Sequence, residues 1–195
     1  MADIICSNLY KSYGSNNVFG GFSHTFIGGS VNVITGPSGR GKTTLLRLIA
    51  GFELPDSGTI TGGGLHSCAF SFSDDRLFED FSALENVACA ITSSSKKDRN
   101  AAARGLLLSL GLDAESLTAP VKTYSGGMKR RVTLARAFGA NRSILLLDEP
   151  TAGLDSDTRE LALEFIRAHK KDATLIAVTH STSVIDALGG SLLEL

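Results

Sequence analysis

Three short stretches of the chain are β-rich or continuously apolar. Val31-Asn32-Val33-Ile34-Thr35 ends at a glycine. Ile144-Leu145-Leu146-Leu147 is closed by Asp148-Glu149-Pro150, and Thr174-Leu175-Ile176-Ala177-Val178 by Thr179-His180. The last two predict buried parallel strands, and the first a strand that leads into a glycine loop. Elsewhere the apolar spacing switches to three and four. Leu45, Leu46 and Ile49 predict a helix from Thr43 to Phe52, stopping near Gly51, and Leu161, Phe165 and Ala168 predict one from Ser156 to Lys170. Strands alternating with helices predict an α/β fold with a mostly parallel sheet wrapped by helices.

The middle of the chain follows a different pattern. Ser82-Ala83-Leu84-Glu85 is a capping box and predicts a helix through about Ile91. The segment from Asn100 to Leu110 is rich in Ala and Leu and stops at Gly111, while Met128, Val132 and Ala135 mark a third helix from Gly126 to Phe138. Three helices without an intervening strong strand predict an all-helical insertion over roughly 75–140. The glycine groups Gly20-Gly21, Gly28-Gly29 and Gly62-Gly63-Gly64 predict short strands joined by tight turns. Ser93-Ser94-Ser95-Lys96-Lys97-Asp98 reads as an exposed loop.

A length of 195 residues fits one domain, spanning 1–195. With 43% apolar and 20% charged residues the chain can build a core, which argues against disorder. A net charge of −1 supplies no long-range field, so direct nucleic-acid binding is disfavoured. Lys129, Arg130, Arg131 and Arg136 form a local basic face, read either as attracting a triphosphate or partner or as a solvated helix face. No apolar run approaches bilayer-spanning length, and the N-terminus lacks the positive region of a signal peptide. A membrane role is therefore expected only through a partner. Cys6, Cys68 and Cys89 are odd in number and form no CxxC pair, which predicts buried free thiols in a reducing compartment.

The chemistry concentrates around Gly36-Pro37-Ser38-Gly39-Arg40-Gly41-Lys42-Thr43, which follows a predicted strand and opens a predicted helix. This is the P-loop pattern. Glycines let successive backbone N–H groups face crowded phosphate oxygens, and the helix N-terminus adds its dipole. Lys42 can reach the β- and γ-phosphates, and the Thr43 hydroxyl can ligate Mg²⁺. Asp148, at the end of a buried strand, needs a partner, and Mg²⁺ beside the P-loop is one. Alone it could equally cap the next turn. Glu149 sharpens the reading, because adjacent carboxylates can divide metal holding from water polarisation. His180 also ends an apolar run. By itself it would more often be a satisfied core residue.

Taken together these motifs resemble an ATP-binding cassette (ABC) ATPase, in the right order along nearly all of the chain. Tyr13 matches the aromatic that stacks on adenine. The residues from Gly36 to Thr44 match Walker A. Tyr124-Ser125-Gly126-Gly127-Met128 resembles the LSGGQ signature, with Tyr for Leu and Met for Gln. The segment from Ile144 to Glu149 matches Walker B and the catalytic glutamate, Ala152-Gly153-Leu154-Asp155 the D-loop, and His180 the switch histidine. The resemblance implies a P-loop NTPase fold with a small N-terminal antiparallel β subdomain and an α-helical insertion. It also implies Mg-dependent ATP hydrolysis that powers transport through an integral membrane permease, at the inner face of the cell membrane. In the family two cassettes pair head to tail, and Ser125, Gly126 and Gly127 of one reach the γ-phosphate held by the other. A homodimer or a heterodimer of cassettes is thus expected, with a substrate-binding protein as a further candidate partner.

One position departs from the family pattern. Phe72-Ser73-Asp74-Asp75-Arg76-Leu77 carries Ser73 where the family has a glutamine that helps place Mg²⁺ and water. Ser73 is expected to act on the metal through a bridging water, or Asp74 to supply the missing oxygen. The segment from Asp74 to Val87 most resembles ATPases of nitrate, sulfonate and taurine importers, and with few residues after His180 the accessory C-terminal domain of sugar importers is not expected. A groove beside this loop receives a permease helix in the family. Phe78 and Phe81 either line it or pack inside the insertion. A cassette ATPase serving repair, translation or regulation is the alternative, as is a nucleotide-binding module with weak hydrolysis.

Overall fold

Residues 1–93 and 95–195 are described by a computed structural model. In chain order the elements begin with β1 (Ile4–Tyr13), β2 (Asn16–Phe26), β3 (Val31–Thr35), α1 (Lys42–Ala50), β4 (Ser57–Thr61) and β5 (Cys68–Ser71). The helices α2 (Ala83–Ala88), α3 (Lys96–Ser109) and α4 (Gly126–Gly139) follow. The chain closes with β6 (Ile144–Asp148), α5 (Ser156–His169), β7 (Thr174–Val178), α6 (Thr182–Leu188) and β8 (Ser191–Glu194). The described residues divide into two units, one of 1–70, 142–148 and 172–195, the other of 71–141 and 149–171.

The first unit holds the sheets. An antiparallel sheet has the order β2-β1-β4, and a second sheet the order β5-β6-β7-β3-β8. In the second sheet β7 runs parallel to both β3 and β6, and β8 runs parallel to β3. Every residue of β6 and β7 is buried, so these strands read as unbroken apolar runs. Leu45, Leu46 and Ile49 of α1 pack into the same cluster as Ile34, Leu146, Ile176 and the hairpin residues Ile4, Leu9, Phe19 and Phe26.

The second unit is helical. Contacts join α2 to α3 and α4, and α3 to α4. The capping box forms as expected: Ser82 Oγ accepts from the Glu85 amide and the Glu85 carboxylate accepts from the Ser82 amide. Helix α3 starts earlier than expected. Lys96, Lys97 and Asp98, read as loop, form its first turn under an N-cap at Ser95 that accepts from the Asp98 amide. Ser94, in the same expected loop, lies outside the described residues. In α5 the buried face is Ala162, Leu163, Phe165 and Ile166. Leu161 is half-buried and Ala168 exposed, so the spacing had placed the stripe slightly off its axis. Phe165 stacks on His169 at 4.1 Å and meets Phe138 edge-on at 5.1 Å.

The thiols differ from one another. Cys6 is buried, and burial pushes its thiol up to about 12. Cys68 is half-buried and raised for the same reason, whereas Cys89 is exposed, against the expectation of burial. Among the described residues no helix is long and apolar enough to cross a membrane.

Candidate nucleotide site

Strand β3 delivers the chain into the loop at Gly36. Backbone angles at Gly36 (φ +130°) and Gly41 (φ +88°) lie in the left-handed region that side chains resist. Space forbids a side chain there too. A Cβ on Gly36 would sit 2.3 Å from the Leu195 carbonyl oxygen, and one on Gly41 2.4 Å from Val18 Cγ1. Helix α1 then starts at Lys42 with no side-chain cap on its first turn, and a helix N-terminus favours an anion. Pro37, Ser38, Gly39 and Arg40 are exposed in the loop. Lys42 is only 6% exposed. Its ammonium donates to the carbonyls of Gly36 at 2.8 Å and Pro37 at 2.7 Å, so it is stowed inside the loop.

Thr43 and Asp148 are brought together. The Thr43 hydroxyl donates to Asp148 Oδ2 at 2.9 Å, across 105 residues of sequence. Asp148 is 2% exposed. The sheet register explains the meeting. Asp148 pairs with Val178 and Val178 with Ile34, and the Thr179 amide donates to the Ile34 carbonyl at 3.1 Å. Strands β6, β7 and β3 therefore end level, and Asp148, His180 and the P-loop leave the same edge of the sheet, where open α/β sheets bind ligands. His180 is exposed there. Tyr13, at the end of β1, is 46% exposed and donates to the Glu53 carboxylate. Thr44 is half-buried.

Ser73, Ser125, Gly126, Gly127, Glu149 and Asp155 belong to the second unit. Ser125 caps α4 and accepts from the Met128 amide at 3.2 Å, with the exposed Gly126 opening the helix. Tyr124, in the place of a leucine, is buried and donates to the Ser116 carbonyl at 2.6 Å. Asp155 caps α5 and accepts from Thr158, whose amide and hydroxyl hold its carboxyl below the ordinary value. A cavity of about 460 Å³ is lined by Ser125, Gly126, Gly127, Arg130, Gly153 and Asp155. Glu149 is half-buried at φ +50°.

The basic face after the signature is not a solvated one. Arg130 is 7% exposed and donates to the carbonyls of Phe72 at 2.7 Å and Ser73 at 2.5 Å. It also pairs with Asp75 at 3.1 Å. Arg136 donates to the carbonyls of Asp75 and Arg76, and Thr133 to that of Asp75. Arg131 donates to the carbonyls of Leu110 and Gly111. Ser73 itself is exposed, with its carbonyl held by Arg130. Sequence reasoning missed this clamp, because a basic run gives no sign of which carbonyls it will meet.

Phe78 and Phe81 are 55% and 48% exposed, with their rings tilted against each other at 5.3 Å. The reading that packs them inside the helical insertion is corrected. The fully buried Asn86 side chain bonds both the amide and the carbonyl of Phe78, so the backbone is fixed while the rings face outward.

Comparisons with known proteins agree with this geometry. Residues 19–152 match the family described as ABC transporter. Lipoprotein-releasing system ATP-binding protein LolD of Geobacter metallireducens is 35% identical, over 93% of this chain and 91% of that protein. Aliphatic sulfonates import ATP-binding protein SsuB 1 of Paraburkholderia xenovorans is 38% identical over 94% of this chain, which spans only 54% of that relative. The dimeric structure of the ATP-binding cassette MJ0796 in a post-hydrolysis state, bound to ADP and Pi, superposes with a TM-score of 0.88 at 26% identity. It covers 98% of this chain and 94% of the other. Strand-edge P-loop, paired Thr43 and Asp148, and a signature helix define a P-loop ATPase. The chain belongs to the ABC transporter family, as its ATP-hydrolysing domain.

Proposed function

We propose that this chain binds Mg·ATP at the loop from Gly36 to Thr44 and hydrolyses it as one half of a cassette dimer docked on a membrane permease. One observation carries the reading: the Thr43 hydroxyl touches the buried Asp148 carboxylate, one residue from Lys42. The donor set suits Mg²⁺. Both groups are hard oxygen ligands, and among the described residues no cluster of three or more His, Cys, Asp or Glu forms a cage. Mg²⁺ fits such a site because it keeps several waters and takes phosphate oxygens. Thr43 and Asp148 would hold the ion, and its charge would offset negative charge on the transferring phosphoryl group.

The chain's own groups divide the remaining work. Lys42 exchanges loop carbonyls for β- and γ-phosphate oxygens, with the amides of Gly39, Gly41 and Thr43 around them. Glu149 orients the attacking water and accepts its proton, and His180 donates to the γ-phosphate. Ser125, Gly126 and Gly127 close on the nucleotide held by a second cassette, with Asp155 beside them. Lys42, His180 and the loop amides present donors where negative charge develops, so their gain is mainly electrostatic. Ser73 contributes through a water, which predicts slow hydrolysis rather than none.

The permease surface is the exposed pair Phe78 and Phe81, and the location is the inner face of the cell membrane. The relatives' names support transport over a repair or translation role. LolD and SsuB 1 carry names for different cargoes at similar identity, so cargo and direction belong to the permease and not to this chain. Glu149→Gln tests the reading. ATP should still bind, turnover should be lost, and an ATP-bound dimer should accumulate in size-exclusion chromatography. Undiminished phosphate release from the variant would overturn the assignment. Lys42→Ala should instead weaken ATP binding itself.

A further inference from the structure

The loop after α1 holds the end of β1 by a set of contacts that the nucleotide motifs do not include. Tyr13 donates its phenol proton to Glu53 Oε2. The other oxygen of Glu53 lies 3.5 Å from Arg47 Nη1, and Arg47 stands on α1, the helix that begins with Lys42 and Thr43. The Phe52 amide bonds back to the Arg47 carbonyl at 3.0 Å, so the turn into Glu53 is fixed against that helix. Lys11 donates to the Leu54 carbonyl at 2.9 Å and sits 5.2 Å over the Tyr13 ring. Asp56 accepts from the Ser12 amide at 2.7 Å, and its own amide donates to the Tyr10 carbonyl at 2.8 Å.

An aromatic side chain that is 46% exposed has little packing to fix its rotamer. Here a hydrogen bond at the far end of the ring does so. Burial, then the bond to Glu53, pushes the Tyr13 phenol above its ordinary value, against smaller pulls from Thr44 and Arg47. The phenol therefore stays a donor to the carboxylate at neutral pH.

We propose that Glu53 is a positioning residue for the nucleotide base. The relay Arg47–Glu53–Tyr13 sets the Tyr13 ring at a fixed place relative to the phosphate-binding helix, so that a purine reaching from a bound triphosphate meets a preformed platform. The inference rests on the reading of Tyr13 as the base-stacking residue. A ring that must be ordered on binding loses affinity by the cost of freezing its rotamer, which corresponds to about five-fold in Kd.

The test compares Kd for Mg·ATP with Kd for Mg·tripolyphosphate, which has no base, in the full chain. Glu53→Ala and Tyr13→Phe should each weaken ATP binding by about five-fold, and their combination by no more than either alone. Glu53→Gln, which keeps an acceptor for the phenol, should retain most of the affinity. Tripolyphosphate binding should be unchanged throughout. If Glu53→Ala weakens both ligands equally, Glu53 only supports the fold and the proposal is wrong. If Tyr13→Ala weakens ATP binding while Glu53→Ala and Tyr13→Phe do not, the platform stands and Glu53 has no part in it. If Tyr13→Ala leaves ATP binding intact, the base-stacking reading fails and the relay with it.

Discussion

Glycines in the phosphate loop are not equivalent. Gly39 has φ +81° and open space around a hypothetical Cβ. Gly41 has φ +88°, and its Cβ would collide with Val18 and Phe19. Gly39→Ala should therefore cost only the left-handed strain, about 1 kcal/mol. Gly41→Ala adds displacement of a short, stiff valine and a buried ring, for a total of about 3 kcal/mol. Thermal melts without nucleotide measure the difference: a small drop in Tm for Gly39→Ala and a several-fold larger one for Gly41→Ala. Equal drops would mean that the hairpin yields freely to the loop. At this scale the P-loop was legible, because its residues are contiguous and each type has a stated task. Asp148 was legible as a carboxylate ending a buried strand. Glu53 was not, since nothing in the sequence links it to Tyr13, 40 residues away.

Helix α4 and the loop at 72–76 form an element pair that the sequence concealed. Asp75 and Arg76 have φ +57° and +42°, a strained pair in consecutive positions. Such a conformation persists only when its surroundings hold it, and Arg130, Thr133 and Arg136 supply the hold through backbone carbonyls. The periodicity of α4 was readable, but Lys129, Arg130, Arg131 and Arg136 look the same in sequence whether they face water or a buried loop. Burial raises the Asp75 carboxyl above its ordinary value, outweighing the opposing pull of Arg130. A raised carboxyl means that the folded state binds the proton more tightly than the unfolded one. The destabilisation is present above the folded pKa and is relieved as pH falls through it. Removing Arg130 takes away the largest opposing pull and leaves the smaller ones of Thr133 and Lys129. Arg130→Met should therefore lose about 3 kcal/mol near neutral pH, with part of the deficit recovered in acid as Asp75 protonates. Urea denaturation midpoints at neutral and acid pH read this directly. A deficit that does not shrink in acid would place the whole cost on the lost carbonyl bonds.

For the molecule as a transporter subunit, the question is which surface meets the permease. Composition could say only that any membrane role is indirect, and the loop sequence left Phe78 and Phe81 divided between core and interface. Tertiary structure decides burial, and both rings face outward above a backbone that Asn86 pins from within. Adjacent aromatic rings exposed on a fixed backbone are a surface built for contact rather than for folding. Phe78→Asp separates the two roles. Phe78 is 55% exposed, so folding stability should fall by about 1 kcal/mol or less, mostly from the lost ring contact with Phe81. ATP binding should be spared, because the Gly36–Thr44 loop and Asp148 belong to the other unit. Recovery of a multi-span permease with the tagged chain from detergent-solubilised membranes should be lost. Retained recovery would move the docking surface elsewhere on the second unit, and recovery of soluble partners alone from the unmutated chain would count against transport itself.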